Sequence, residues 1–485
     1  MHRSTKRRLV AAIALAAGAL SLATGAEADA PVARAPTYSV LHSFTSGADG
    51  SFPAAALTLG KNGVLYGTTQ HGGTTATCTG GAAGTIFQLT PPASPGGQWA
   101  ESVLYTFSSA AGSTPSDCFA EPTASVTIGP HGELYGTTYL GGPDGVGTVY
   151  ELIPPSAPRG SWTMTTLYAF GSATGDPQNP QGGLVLGAGG VLYGTVQFAG
   201  SSAACPFYSL NYGCGAVYSL TPPVSPGGVW TYKTLYTFHG GSDDGAAPQT
   251  ILALGPHGVL FGVTPAGGPG ALCGNNPFAP LVYGPQSTGC GTVFELDPPS
   301  SPNGYWTETV LYGFKGKSDG GFPTGVVYHD GVLDGTVTVG GDPKNCGGVG
   351  CGGVFRLTPP AKAGGSWTEK VLYSFTGGSD GLYPYAGLTV GADGSLYGTT
   401  RDGGNTSACA QNPGCGAVFQ LVASRESDCP WQEKILHRFS ASDGWLPFAP
   451  LVIDKDGELF GTTYFGGSAE CIGGCGVVFA TSTKH

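Results

Sequence analysis

Charge is scarce in this sequence, with 20 Lys and Arg and 31 Asp and Glu making up 11% of 485 residues. Basic residues are the rarer kind, and the formal balance is −11. A chain so poor in Lys and Arg has no basic stripe to meet a phosphate backbone, which excludes nucleic acid as a partner. Beyond residue 28 no apolar run is long enough to cross a bilayer as a helix. Methionine occurs only twice and good helix formers are thin, which argues against a helical core. Motifs for common chemistries are missing too. The sequence has no G-x-S-x-G elbow leading from a strand into a helix, no H-E-x-x-H pair and no G-x-x-x-x-G-K-[ST] loop. It has no dinucleotide fingerprint either, and nothing in it calls for a cofactor.

The first residues stand apart from the rest. His2 to Arg8 is a basic head, Leu9 to Gly25 is an Ala- and Leu-rich run, and Ala26-Glu27-Ala28 places small residues at −3 and −1. This pattern predicts a signal peptide over 1–28, followed by a short linker over 29–37. The apolar run, broken by Gly18, Ser21 and Thr24, is too short and weak for a stable anchor. Cleavage leaves 16 Lys and Arg against 30 Asp and Glu, a balance of −14. The expected product is a secreted or periplasmic monomer with no membrane span.

What the sequence has in abundance is Gly (85), Pro (38) and aromatic side chains (22 Phe and 22 Tyr). The aromatics recur at fixed spacing, so the glycines belong to turns of a packed fold. A Leu-Tyr-Gly phrase appears at Leu65, Leu134, Leu192 and Leu396, as Leu-Phe-Gly at Leu260 and Leu459, and as Leu-Asp-Gly at Leu333. The period is about 66 residues. Each copy reads as four strands. A short apolar run leads through a pair such as Asn62-Gly63, His131-Gly132, His257-Gly258, Asp393-Gly394 or Asp456-Gly457, which suits a type I′ turn, into the Leu-Tyr-Gly strand. A Gly-rich loop, a third strand, a Pro-Pro…Gly-Gly turn and a fourth strand such as Trp367 to Phe375 follow.

Four antiparallel strands repeated seven times predict an all-β, seven-bladed propeller over 38–485. The ends are in phase for closure. Tyr38 to Phe44 is a lone fourth strand and the C-terminus stops after a third, so the N-terminal strand is expected to complete the last blade. An open β-solenoid competes, but it would not need the split blade.

The stretch from Val371 to Leu421 (VLYSFTGGSDGLYPYAGLTVGADGSLYGTTRDGGN…GCGAVFQL) resembles the GloVer-type extracellular tandem repeat, and the likeness extends over residues 38–482. The resemblance implies export and a propeller-like repeat, with no established reaction or ligand. Many members end in a sorting or anchoring segment. This chain stops at Ser482-Thr483-Lys484-His485 with no apolar tail, so no C-terminal anchor is expected.

Thirteen cysteines fall mostly in pairs. Cys205/Cys214, Cys273/Cys290, Cys346/Cys351, Cys409/Cys415 and Cys471/Cys475 each lie within one loop between second and third strands. In an exported chain these read as disulfides. No loop gathers a zinc set, so no metal site is expected. Cys78 with Cys118 makes a plausible sixth bridge, leaving Cys429 odd.

Two kinds of position could carry function. The linker phrase Asp-Gly-x-x-Pro recurs at Asp49, Asp244, Asp319, Asp380 and Asp443, and reads either as a turn or as a ring of carboxylates for cations or polyols. Asymmetry is the better guide to a site. Asp334 stands where other blades have Tyr or Phe, with His329 close by, and marks either a pocket or a locally loosened blade. The long loops over 201–213 and 273–289 carry Tyr208, Tyr212, Phe278 and Tyr283, which suit a binding rim or disulfide-tied decoration. The first functional expectation is a binding or scaffold module whose disulfide-pinned face meets an extracellular glycan or protein. A purely structural envelope component is another. The alternative is a propeller-type polysaccharide lyase or glycoside hydrolase with carboxylates or a histidine near the central channel.

Overall fold

The structure is a computed structural model that describes residues 37–483 except 74–83, 95, 108–119, 158–159, 172, 174, 201–204, 206–212, 226, 271–272, 274–288, 302–303, 317, 343, 363, 410–412 and 425–429. It contains seven four-stranded antiparallel sheets and, among the described residues, no α-helix. Blade 1 is Thr58–Leu59, Leu65–Thr69, Thr85–Thr90 and Ala100–Thr106 in spatial as well as chain order. The next five blades repeat that order. Blade 7 takes its first three strands, Val452–Ile453, Glu458–Thr463 and Val477–Ser482, from the C-terminus, and its fourth, Tyr38–Ser43, from the N-terminus. The split blade is therefore present.

Aromatic side chains join the blades. The Phe that ends each fourth strand meets a third-strand aromatic of the following blade edge to face, as in Phe107–Tyr150, Phe238–Phe294 and Phe375–Phe419 at 5.5, 5.1 and 5.2 Å between centroids. Phe44–Phe87, at 5.1 Å, closes the ring from blade 7 to blade 1. Such pairs add about 0.5–1.5 kcal/mol beyond the area they bury. They also explain the glycine in Leu-Tyr-Gly. A Cβ on Gly67 would lie 2.4 Å from the Phe87 ring, and one on Gly461 would lie 2.5 Å from Phe479. Only glycine lets the third-strand ring cross beneath the second strand.

Threonines add a second set of ties. Thr68 Oγ1 donates to the Ala124 carbonyl, Thr336 Oγ1 to that of Ala386, and Thr462 Oγ1 to that of Ala55, each from a second strand to the segment that leads into the first strand of the next blade. In every blade the fourth strand carries a bulge opposite the third-strand aromatic, as between Ile86 and Phe87. Simple period-2 alternation therefore stops there, and residues such as Leu104 and Leu311 are left out of register.

Two expectations are corrected in detail. The first strand is only two residues long in six blades. The turn after it is type I′ at Asn62-Gly63 and His257-Gly258, where both residues have positive φ. At His131-Gly132, Asp393-Gly394 and Asp456-Gly457 only the glycine does, and its N–H bonds back to Gly129, Gly391 or Asp454. His and Asp there keep negative φ because the turn starts one residue earlier. Blade 5 is not loosened. Its first two strands, Gly321–His329 and Val332–Val339, are the longest such pair, closed by Asp330-Gly331.

Among the described residues five disulfides are formed, Cys205–Cys214, Cys273–Cys290, Cys346–Cys351, Cys409–Cys415 and Cys471–Cys475, with Cα atoms 5.1–5.4 Å apart. The second cysteine of each also ties the blade to the next. Its carbonyl accepts the N–H of a linker residue, as in Phe52 N to Cys475 O and Ala247 N to Cys214 O, both 2.8 Å. Cys78, Cys118 and Cys429 lie outside the described residues. Among the described residues no helix is long and apolar enough to cross a membrane.

Candidate binding site

The Asp-Gly-x-x-Pro carboxylates are taken up by the linker itself. Asp380 accepts the Thr376 N–H and hydroxyl and the Tyr373 hydroxyl; Asp319 accepts from Lys315 N and Tyr312; Asp244 accepts from His239 N and Tyr236. In blades where histidine replaces that tyrosine, His42 pairs with Asp49 and His437 with Asp443. Burial would raise these two carboxyls, but hydrogen bonds from the histidines and from Thr45 and Ser440 outweigh it and hold them low. Among the described residues no three His, Cys, Asp or Glu side chains gather as metal ligands. Gly377 to Gly381 spells G-x-S-x-G, but it is this turn, and Ser379 offers only its carbonyl to Arg438.

One backbone feature of the linker has no signature in residue type. The residue before proline has left-handed φ in all seven blades: Phe52, Glu121, Asn179, Ala247, Phe322, Tyr383 and Leu446, between 44° and 59°. Most are clamped on both sides. Phe52 donates to Cys475 O and accepts from Gln70 N, and Leu446 donates to Cys415 O and accepts from Tyr464 N. Local strain is thus held by two fixed hydrogen bonds.

Asp334 is fully buried. Arg356 grips it with Nε and Nη2, both at 2.7 Å, and His329 Nε2 lies 2.6 Å from Oδ2. The Arg356 guanidinium sits 5.1 Å from the Trp431 ring. In other blades that tryptophan packs on the Tyr or Phe of the preceding blade, as in Tyr135–Trp230 and Phe261–Trp367. Asp334 and Arg356 together therefore replace one aromatic side chain between blades 5 and 6. His329 and Asp334 do meet, but neither lines the central cavity. Tyr208, Tyr212, Phe278 and Tyr283 lie outside the described residues.

A second acidic set appears only in three dimensions. Glu101, Glu308, Glu369 and Glu433 occupy one position of the fourth strand, and each has a buried Oε1 with no protein partner. Burial, and then the Asp of the preceding linker, pushes Glu308, Glu369 and Glu433 up to about 7.

The first strands surround one cavity of about 1210 Å³ on the propeller axis. Its described lining contains no Asp, Glu, Lys, Arg or His. The side chain after each linker proline lies on this wall: Ala54, Thr123, Gln181, Gln249, Thr324, Tyr385 and Phe448. This ring varies while the scaffold around it repeats. Blades 6 and 7 give aromatics, with Tyr385–Phe448 and Phe448–Tyr464 edge to face at 5.8 and 5.6 Å, and Phe52 stacked on Tyr464 at 5.1 Å. Across the ring, blades 2 to 4 give hydroxyl and amide groups, and Thr123 Oγ1 and Gln181 Oε1 have no partner in the protein. Reading the chain by motif missed this site. The signal was there, in the one residue after each proline.

The repeat that builds this ring matches a known family model, the Gloeobacter/Verrucomicrobia repeat, over residues 116–349 and 275–485. The chain belongs to that family. For the family, the structure adds the closed seven-bladed ring and the variable wall inside it. No curated protein sequence matches the chain. Solved structures similar to it include an ulvan lyase (11% identity, 88% of this chain and 91% of that one, TM-score 0.47). An aldose sugar dehydrogenase from Streptomyces coelicolor matches at 15% identity over 83% and 99%, TM-score 0.37. A carbohydrate-active enzyme of Trichoderma reesei matches at 11% over 94% and 97%, TM-score 0.41. At these values the likenesses say nothing of what this chain binds or does.

Proposed function

We propose that this repeat-family propeller is an exported binding module that takes a glycan at the mouth of its central cavity. The observation that carries the reading is the wall after the linker prolines, aromatic on blades 6 and 7 and hydroxyl- and amide-bearing on blades 2 to 4. Tyr385 and Phe448 offer flat apolar faces for the C–H face of a sugar ring. Thr123, Gln181 and Gln249 offer the few directed polar groups that fix a ligand's orientation. At about 1210 Å³ the cavity is larger than most small-molecule pockets and admits a short oligosaccharide. Five disulfides suit an oxidising compartment, and with residues 1–28 as signal peptide they support export.

A lyase or glycosidase needs a placed general acid and base, and the described lining supplies neither a carboxylate nor a histidine. The test is a glycan array on the mature chain, with Tyr385→Ala and Phe448→Ala as variants and with assays for unsaturated products and new reducing ends. Binding lost in both variants, with no turnover, is expected. Turnover of any bound glycan overturns the reading.

A further inference from the structure

A second column of the repeat is the residue that follows each second strand's Gly-Thr-Thr phrase or its equivalent: Gln70, Tyr139, Gln197, Pro265, Thr338, Arg401 and Tyr464. Gln70, Pro265 and Tyr464 lie on the cavity wall. Arg401 is the one charged residue in this column and in the wall column after the prolines. Its guanidinium carbon lies 5.6 Å from the ring centre of Tyr385, which is itself on the wall, and about a quarter of its side chain is exposed (23%).

Its neighbour departs from the repeat as well. Asp402 stands where other blades have His71, Leu140, Phe198, Ala266, Val339 and Phe465, and it is 1% exposed. Neither carboxylate oxygen makes a hydrogen bond within the protein, and the close cation is Arg401, with Nε 3.1 Å from Oδ2. A buried carboxylate is costly unless it is paired. Here the cost fixes an arginine. With Nε turned to Asp402, the guanidinium is held beside Tyr385 rather than free to extend into solvent. This lone cation sits on a chain whose overall charge repels anions.

We propose that Arg401 reads an acidic substituent, a carboxylate or a sulfate, on a glycan whose sugar ring lies against Tyr385 and Phe448. A guanidinium offers a planar fork of donors that matches either oxyanion, and a partly desolvated site strengthens the contact. The inference rests on the glycan-binding reading above and narrows it to acidic glycans. Asp402 acts through Arg401 as a positioning residue.

Calorimetric titration of the mature chain with neutral, uronate-bearing and sulfated oligosaccharides of equal length tests it. The wild type is expected to favour one or both acidic sets, and the arms show which oxyanion is read. Arg401→Gln should weaken acidic binding about tenfold or more, the loss of one charge-assisted contact, and weaken neutral binding far less. Arg401→Lys, which keeps the charge without the fork, should fall between the two and show a steeper salt dependence. Because Arg401→Gln leaves buried Asp402 without its cation, the double variant Arg401→Gln with Asp402→Asn, which leaves no unpaired carboxylate, is titrated beside it, and acidic binding should fall alike in both. Equal affinity of the wild type for neutral and acidic chains, or acidic binding untouched by Arg401→Gln, overturns the inference and leaves the glycan-binding reading standing. Binding of no glycan at all overturns that reading, and the inference with it.

Discussion

Phe44 and Phe87 meet edge to face at 5.1 Å, and with that contact the N-terminal strand, seated in blade 7, closes the ring onto blade 1. Phe44 is fully buried. Truncating such a side chain costs about 3–5 kcal/mol. Phe44→Ala should lose that much in chemical denaturation, as much as Phe375→Ala at an internal joint. A loss below about 1 kcal/mol would mean that the ring is not held shut at this seam.

Asp334 and Arg356 form a buried pair in place of an aromatic side chain. Removing one partner leaves an uncompensated charge and costs about 3–5 kcal/mol. Asp334→Asn and Arg356→Gln should each destabilise strongly. The double variant Asp334→Tyr with Arg356→Gln rebuilds the Tyr66/Gln88 and Tyr397/Gln420 pairing of blades 1 and 6. Its melting temperature should exceed that of either single variant; if it does not, the pair is more than a packing substitute.

How much of this was legible in the sequence depends on what repetition amplifies. Seven copies of the Leu-Tyr-Gly phrase and its variants and five local cysteine pairs speak with one voice, so blade number, split closure and disulfides could be read directly. Features that vary by blade have no such support. Arg356, the partner of Asp334, lies 22 residues away on another strand, and nothing at Arg356 itself announces the pairing. The left-handed linker residue is Phe, Glu, Asn, Ala, Phe, Tyr or Leu, so its backbone state comes from the hydrogen bonds around it and not from its type. Tyr385 and Arg401 become conspicuous only when single columns of the repeat are compared around the ring.

Ala247 offers a direct test of that backbone state, with φ of 57°. The left-handed region costs an L-residue about 1–2 kcal/mol, more than the entropy of about 0.5–1 kcal/mol that glycine loses on folding. Ala247→Gly should therefore leave the melting temperature unchanged or raise it. Ala216→Gly, in a regular strand, should lower it. Equal losses at both sites would show that the clamps impose no strain.

Acidity should strengthen the ring. Glu308, Glu369 and Glu433 have folded values of about 7, above the ordinary 4.5, so the folded state holds their protons more tightly. Their contribution is full below about pH 4.5 and is lost as pH rises through 7. Asp402, pushed up to about 6 by burial against the pull of Arg401, acts in the same direction. The melting temperature should fall between pH 5 and 8, and a triple Glu→Gln variant should flatten most of that slope. A wild-type profile that rises over this range contradicts the assignment.

The split blade also sets an order of events. Tyr38–Ser43 is synthesised early, yet its partner, Val477–Ser482, lies at the other end of the sequence and is made late. No intermediate length of chain can close the ring. The strand that is made first must wait, unpaired, until the third strand of its own blade has followed.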